Sequence, residues 1–374
     1  MKICIDATRG VIENAGIARY TNKLLQCIAL MDRKNSYRLI YTYGRKSVDK
    51  EKKIIKQAGQ FSKVQHNIFH IPGSLKEHIW NIKYFPSKWL YADCDIFHAP
   101  SYMELPYFIK LPSVLTIHDM TTFLFPQQRG LKISRFHNQK VVRACDQASK
   151  IICISDSTKQ DLIKICKIDE NKVITIPLAA DEKFVTNTNV KRKNYILTVG
   201  TIEPRKNLQK LISAYARLPF KIRQKHHLVV VGGKGWNDTE IYKSASELIK
   251  LGQVVFTGFV DDDQLIRYYQ QALFFIYASK YEGFGLPVLE AMSCSTPVIT
   301  SDCSSLAEIA QDSAVLVSPN SVSDIYQAMY QLIKNPKTRL DLSYRGYKRS
   351  RLYSWQKTAR KTLEIYNNLR AKTS

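Results

Sequence analysis

Halfway along the chain, the apolar run Tyr195-Ile-Leu-Thr-Val-Gly200 restarts a pattern that first begins at Lys2-Ile-Cys-Ile-Asp-Ala7. Short apolar runs bounded by turn residues read as strands buried on both faces, and helical periodicity between them makes consecutive strands parallel. In the first half, strands are expected at Lys2–Ala7, Tyr37–Tyr43, Ile96–His98, Ser113–Ile117, Ile151–Ile154 and Val173–Ile176, with a helix from Gly16 to about Leu30. In the second half they are expected at Tyr195–Gly200, Leu228–Val231, Val254–Thr257, Leu273–Tyr277 and Pro297–Thr300, with helices at Asn207–Arg217, Asp262–Ala272, Pro287–Cys294 and Val322–Lys334. The fold class is α/β, with two doubly wound parallel sheets. Their domains span 1–178 and 195–353, joined by a linker over 179–194 that contains the polar stretch Asp181 to Asn194. In the tail, 354–374, the residues Trp355, Ala359, Leu363 and Tyr366 recur at three- and four-residue steps. This apolar helical face must pack on a domain.

A chain of 374 residues, 45% of them hydrophobic, is long enough to fill two cores. No apolar stretch approaches the roughly 18 residues that cross a bilayer, and the first residues carry no long apolar leader, so a cytoplasmic protein is expected. The eight cysteines are scattered without C-x-x-C spacing, which favours reduced thiols over a zinc site or disulfide framework. A formal charge of +24 calls for an anionic partner. Nucleic acid, an acidic membrane surface and a phosphorylated substrate all satisfy it. Basic clusters such as Arg45, Lys46, Lys50, Lys52, Lys53 and Lys56 come without a helix-turn-helix, zinc finger or aromatic RNA-binding signature, so nucleic acid rests on charge alone.

The segment Glu282-Gly-Phe-Gly-Leu-Pro-Val-Leu-Glu290 lies on a strand-to-helix turn, where open parallel sheets bind ligands and a helix offers N–H groups to an anion. Gly283 and Gly285 permit close backbone approach. A phosphate flanked by carboxylates that accept hydroxyl protons suggests a sugar nucleotide. After the first strand of the second half comes Gly200-Thr-Ile-Glu-Pro-Arg205-Lys206-Asn207, with Asn207 in position to cap the next helix. Two cations there oppose the helix dipole, so they are better explained as a diphosphate site. His118-Asp119 ends a strand at the ligand edge of the first sheet, Gly16 precedes the first long helix, and Ser155 or Asp156 caps another. A bland reading of each stays open: Glu282 as a solvated loop charge, Glu290 as a helix-surface residue, Arg205 and Lys206 as side chains extended into solvent, and His118 as a structural histidine.

Taken in order with Ile154-Ser155, Val231-Gly-Gly-Lys-Gly-Trp236 and Thr257-Gly-Phe-Val260, these motifs cover nearly the whole chain, which resembles the retaining glycosyltransferases of family 4. That resemblance implies the GT-B architecture, in which two Rossmann-like domains face a central cleft and the C-terminal helix crosses back to the first. It implies a hexosyltransferase that needs no metal or other cofactor and takes a nucleoside-diphosphate sugar as co-substrate. Arg205 and Lys206 would hold the diphosphate, and Glu290 the ribose. Glu282 with Gly283, Phe284, Gly285 and Leu286 would meet the transferred sugar, His118 would lie near the reacting centre, Phe259 and Val260 would contact the base, and Gly16 and Gly200 would border the donor. Thr201 to Asn207 with Gly235-Trp236 resembles bacterial mannosyltransferases of polysaccharide assembly, so GDP-mannose is the expected donor and a UDP- or dTDP-sugar the alternative. The acceptor would be a glycan or a polyprenyl-linked glycan on the first domain. There Trp80, Lys83, Lys88 and Trp89 interleave rings with cations, a pattern suited to an anionic membrane surface on the cytoplasmic side. A nucleotide-sugar epimerase or non-catalytic binder of the same architecture is the rival class.

Overall fold

The computed structural model describes residues 1–12, 16–45, 47–72, 75–76, 79, 91, 93–128, 130–187 and 190–371. The chain forms two compact units. The first comprises Met1–Leu124, Leu131–Leu178 and Trp355–Ser374; the second comprises Phe125–Gly130 and Ala179–Ser354.

The first unit is built on seven parallel strands: β1 (Lys2–Asp6), β2 (Ser36–Thr42), β3 (Val64–Phe69), β4 (Ile96–Ala99), β5 (Ser113–Ile117), β6 (Lys150–Cys153) and β7 (Val173–Thr175). Their order is β3-β2-β1-β4-β5-β6-β7. β4 and β5 are buried at every position, as strands covered on both faces must be. Helix Trp355–Arg370 packs against helix Ile17–Met31 in this unit. It buries Trp355, Ala359, Ile365, Tyr366 and Leu369. Its polar anchor is deeper still, where His98 Nδ1 lies 2.5 Å from the Tyr366 hydroxyl and His98 Nε2 lies 3.1 Å from Thr116 Oγ1. Thr116 Oγ1 is also 2.9 Å from the Tyr20 hydroxyl. Burial of this histidine, which has Tyr366 on one ring nitrogen and Thr116 on the other, pulls its pKa down to about 3, with His118 adding to the effect.

The second unit has six parallel strands: β8 (Tyr195–Val199), β9 (His227–Val231), β10 (Val254–Gly258), β11 (Phe274–Tyr277), β12 (Val298–Ser301) and β13 (Val315–Val317). They are ordered β10-β9-β8-β11-β12-β13. The strand order reverses between β8 and β11, which pair through Phe274 with Ile196 and Phe275 with Leu197. At such a switch point the two following loops diverge and leave a crevice at the carboxyl edge of the sheet. The core below it is formed by Ile196, Leu228, Val230, Phe274, Ile276 and Ile299, with helix residues Leu211, Ile212 and Met329 around them. No helix among the described residues is long and apolar enough to cross a membrane.

The fold departs from the sequence reading at two strands and one cap. β3 is an edge strand whose central Gln65, His66 and Asn67 are exposed, so it lacks the apolar run that marks the inner strands. β13 is only three residues long. Ser155 is the residue that caps its helix, accepting from the Thr158 N–H. Asn207 stands at the N-cap position of helix Leu208–Ala216 but makes no capping bond, and its backbone is left-handed at φ 61°. Its amide instead donates to the carbonyls of Ala278 and Pro319 at 2.9 and 2.7 Å, so it staples the loop after β8 to those after β11 and β13.

Candidate active site

Arg205 and Lys206 end a single 3-10 turn, Pro204–Lys206, that the left-handed Asn207 separates from the α-helix proper. Across the switch point, β11 ends in Tyr277, and the loop that follows carries Ser279 and Glu282. The Lys280 N–H donates to the Arg205 carbonyl at 2.9 Å, and Ser279 Oγ lies 3.1 Å from the same oxygen. The two loops therefore hold a fixed register, and their side chains meet.

Glu282 is the centre of that meeting. Its Oε1 accepts from Lys206 Nζ at 2.7 Å, the Tyr277 hydroxyl at 2.9 Å and Ser279 Oγ at 2.7 Å. Its Oε2 lies 2.9 Å from Arg205 Nη1, which also donates to the Tyr281 carbonyl at 2.7 Å. Arg205 Nη2 reaches the buried Glu203 at 2.5 Å, and Lys206 donates to the Tyr277 hydroxyl at 2.6 Å. Burial alone would raise the Glu282 pKa, but Lys206, then Arg205, outweigh it and hold the carboxyl down at about 2. Burial pulls the Lys206 ammonium below the usual lysine range, against the pull of Glu282. Tyr277, buried and beside a carboxylate, is pushed well above the ordinary tyrosine range and stays a donor. A carboxylate this firmly ionised cannot serve as a general acid near neutral pH.

The loop from Glu282 to Gly285 is oriented from behind. Ser305 Oγ lies 2.8 Å from the carbonyl oxygens of both Glu282 and Phe284. Because each trans peptide sets its N–H opposite its C=O, the N–H groups of Gly283 and Gly285 are turned to the other side. Gly285 heads helix Leu286–Ser293 at φ 107°, and a Cβ there would approach Leu306 Cδ2 to 2.7 Å. Pro287 stands in the first turn of the helix, where a missing N–H costs no intrahelical bond.

The other expected residues separate into distinct places. Gly200 lies under Lys206, since a Cβ there would meet its side chain at 3.5 Å. Glu290 is buried inside its helix and accepts from the Tyr269 hydroxyl at 3.1 Å. Val231 to Trp236 contributes close approach of backbone. A Cβ on Gly232 would sit 2.0 Å from the Gly200 carbonyl oxygen, while Ile202 N–H donates to the Gly233 carbonyl at 3.1 Å. Phe259 is 81% exposed, and with Val260, Thr257, Gln264, Arg267 and Tyr268 it lines an open hollow of about 630 Å³. In the first unit, Gly16 heads helix Ile17–Met31. His118 Nε2 donates to the Pro100 carbonyl at 2.8 Å, and its ring meets Tyr20 edge-on at 5.0 Å. Trp80, Lys83, Lys88 and Trp89 lie outside the described residues.

Five contributors were missed in the sequence: Glu203, Tyr277, Ser279, Tyr269 and Ser305. Tyr277 carried a usable signal, as the final residue of a strand at a switch point. Glu203, Ser279 and Ser305 become visible only once the loops are paired, and Tyr269 only once its helix, Asp262–Gln271, is set beside Glu290.

Two family models match adjoining halves of the chain: Glycosyltransferase Family 4 over residues 16–184 and Glycosyl transferases group 1 over residues 180–349. The O-antigen chain mannosyltransferase B of Escherichia coli is 30% identical over 73% of this chain and 74% of its own length. The serotype-specific mannosyltransferase WbdA of Escherichia coli is 31% identical over 60% of this chain and 29% of that longer protein. Among solved structures, Anabaena HepE in complex with UDP-glucose superposes with a TM-score of 0.74 at 16% identity, covering 98% of this chain and 100% of the other. The two-sheet architecture is thus that of the GT-B enzymes, and with matched models running from residue 16 to 349 the chain belongs to the glycosyltransferases of group 1 and family 4.

Proposed function

We propose that this glycosyltransferase moves mannose from GDP-mannose, with retention at the anomeric carbon, to a hydroxyl of a glycan or lipid-linked glycan acceptor in cell-surface polysaccharide assembly. The observation that carries the reading is the convergence of Arg205 and Lys206 on one carboxylate at the switch point of the second sheet. The mannose assignment is supported by the two mannosyltransferase relatives.

In this reading the β-phosphate arrives at Arg205 and Lys206. The forked guanidinium and the ammonium neutralise the charge that grows as the bond from C1 to the phosphate oxygen breaks. The acceptor oxygen bonds to C1 on the same face, and its proton passes to the departing phosphate oxygen. Ionised Glu282 and the N–H groups of Gly283 and Gly285 hold the sugar hydroxyls, Glu290 holds the ribose, and Phe259 and Val260 meet the base. The two cations fill the role a metal would otherwise have, so activity should withstand EDTA. Glu282 is neither acid nor nucleophile of a glycosidase pair.

A thermal-shift panel of GDP, GDP-mannose, UDP, UDP-glucose and dTDP tests the donor. Preferential stabilisation by UDP or UDP-glucose would sink the mannose assignment and favour a UDP-sugar, the donor class named for the HepE complex. Release of GDP that requires both an acceptor and Glu282 separates a transferase from an epimerase or binder.

A further inference from the structure

Along β11, Phe275 and Tyr277 are two residues apart, so their side chains stand on the same face of the sheet. Their rings stack with centroids 5.8 Å apart at 21°. Tyr269, from helix Asp262–Gln271, meets Phe275 edge-on at 5.4 Å. Three rings thus lie in a row, and the outer two carry hydroxyls. That of Tyr269 donates to Glu290 at 3.1 Å and that of Tyr277 to Glu282 at 2.9 Å. Both tyrosines are buried. Phenylalanine would fill the same volume with no polar atom to satisfy, so packing does not account for the hydroxyls.

Tyr277 is joined to Lys206 as well. An ammonium has three N–H donors and no lone pair. Lys206 directs one at the Tyr277 oxygen, 2.6 Å away, and one at Glu282 Oε1, 2.7 Å away. The Tyr277 oxygen is therefore the acceptor in the first bond, and its own proton goes to Glu282. Two of the three directions at Nζ are fixed in this way, and tetrahedral geometry fixes the third. The ring also lies beneath the cation, with Nζ 5.2 Å from its centroid. Gly200 closes the other side, where a Cβ would stand 3.8 Å from Tyr277 Cε2 and 3.5 Å from Lys206 Cε.

We infer that Tyr277 is a positioning residue for the transfer, whose hydroxyl aims the third N–H of Lys206 at the phosphate oxygen that departs from C1. The inference rests on the reading of Lys206 as a cation of the diphosphate site. Tyr277 carries no charge and passes on no proton, because its proton is committed to Glu282 and burial pushes its pKa well above the ordinary tyrosine range. Loss of the hydroxyl should therefore spare the attraction that brings the nucleotide in. It should cost the bond whose direction matters most as charge grows on the leaving oxygen.

Tyr277→Phe keeps the ring and the net charge of the site. Release of nucleoside diphosphate under single-turnover conditions, from whichever of GDP-mannose and UDP-glucose the parent turns over, should slow by about tenfold or more. The Kd for the matching diphosphate, GDP or UDP, should stay within about threefold of the parent's by calorimetric titration. The pH profile is the second readout, because a merely structural hydroxyl would not move it. Burial already pulls the Lys206 ammonium down, and Glu282, Arg205 and Glu203 around it are unchanged in the variant. Loss of an acceptor that favours the charged form lowers it further. The alkaline limb of turnover should therefore start at lower pH in Tyr277→Phe than in the parent, whereas Tyr269→Phe, which touches Glu290 instead, should leave it in place. A parental rate in Tyr277→Phe, equal losses of affinity and rate, or an unmoved alkaline limb overturns the assignment. Lys206→Ala tests the reading beneath it: a loss of nucleotide affinity of about tenfold or more is expected, and an unchanged affinity would overturn the diphosphate reading itself, whatever Tyr277→Phe does.

Discussion

Glu282→Gln removes one negative charge from between two cations and replaces an acceptor oxygen with an amide. Oε1 accepts from three donors and Oε2 faces Arg205. A glutamine keeps one acceptor edge and turns an NH2 group toward a guanidinium or an ammonium. Removing one partner of a buried pair costs about 3–5 kcal/mol. Glu203 stays beside Arg205, which places the expected loss near the lower end, about 3 kcal/mol. For a unit of this size that corresponds to a fall in Tm of about 6–12 °C. The consequence for ligand binding runs the other way. With Glu282 ionised, an arriving diphosphate must share Arg205 and Lys206 with that carboxylate; in the variant the diphosphate takes the place of Glu282 beside Lys206. GDP should therefore raise the Tm of Glu282→Gln by several degrees more than it raises the parent's, while kcat falls by about two orders of magnitude for want of the sugar-facing carboxylate. Differential scanning fluorimetry with and without GDP, followed by single-turnover kinetics, reads all three quantities. A variant that melts with the parent and gains no more from GDP would refute the account of Glu282 as counter-charge to the diphosphate cations.

Glu290→Gln should raise the Kd for GDP about tenfold, one charged hydrogen bond, with a smaller change in kcat; calorimetric titration checks the first, and equal losses of affinity and turnover in both glutamate variants would contradict the division of roles. Gly232→Ala places a methyl 2.0 Å from the Gly200 carbonyl oxygen and should destabilise the second unit by about 3 kcal/mol; a melt unchanged from the parent's would show that the two loops part freely. His98 is neutral in the fold at any pH above about 3, whereas an unfolded histidine takes up a proton from about pH 6.5 downward. Stability should therefore be fully present above pH 6.5 and fall progressively from there toward pH 3. His98→Gln should flatten the fall between pH 6.5 and 4.5, measured as Tm against pH.

The parallel-sheet architecture was legible because inner strands declare themselves. Phe274-Phe-Ile-Tyr277 and Val114-Leu-Thr-Ile117 have no alternation to hide them, since both faces are covered. β3 was invisible for the opposite reason: at the sheet edge, Gln65-His-Asn67 face solvent and lack the apolar signature. Within the site, the motifs marked the correct loops but not their pairing. Lys206 and Glu282 are 76 residues apart, and only the β8–β11 register brings them within a hydrogen bond. Asn207 shows the limit of local rules. Its residue type and position say cap, yet two carbonyls from distant loops compete successfully for its amide.

The assignment of Trp355–Arg370 to the first unit has a consequence for how the protein is made. A ribosome finishes Leu178 long before Trp355 emerges, and at ~5–20 residues per second the delay is roughly ten to thirty-five seconds. Throughout that interval the surface of helix Ile17–Met31 that later receives the last helix, together with His98 and Thr116, is exposed to water and to chaperones. The second unit has every strand in hand before the first is complete. Synthesis therefore imposes an order in which the earlier half of the molecule is the last to close.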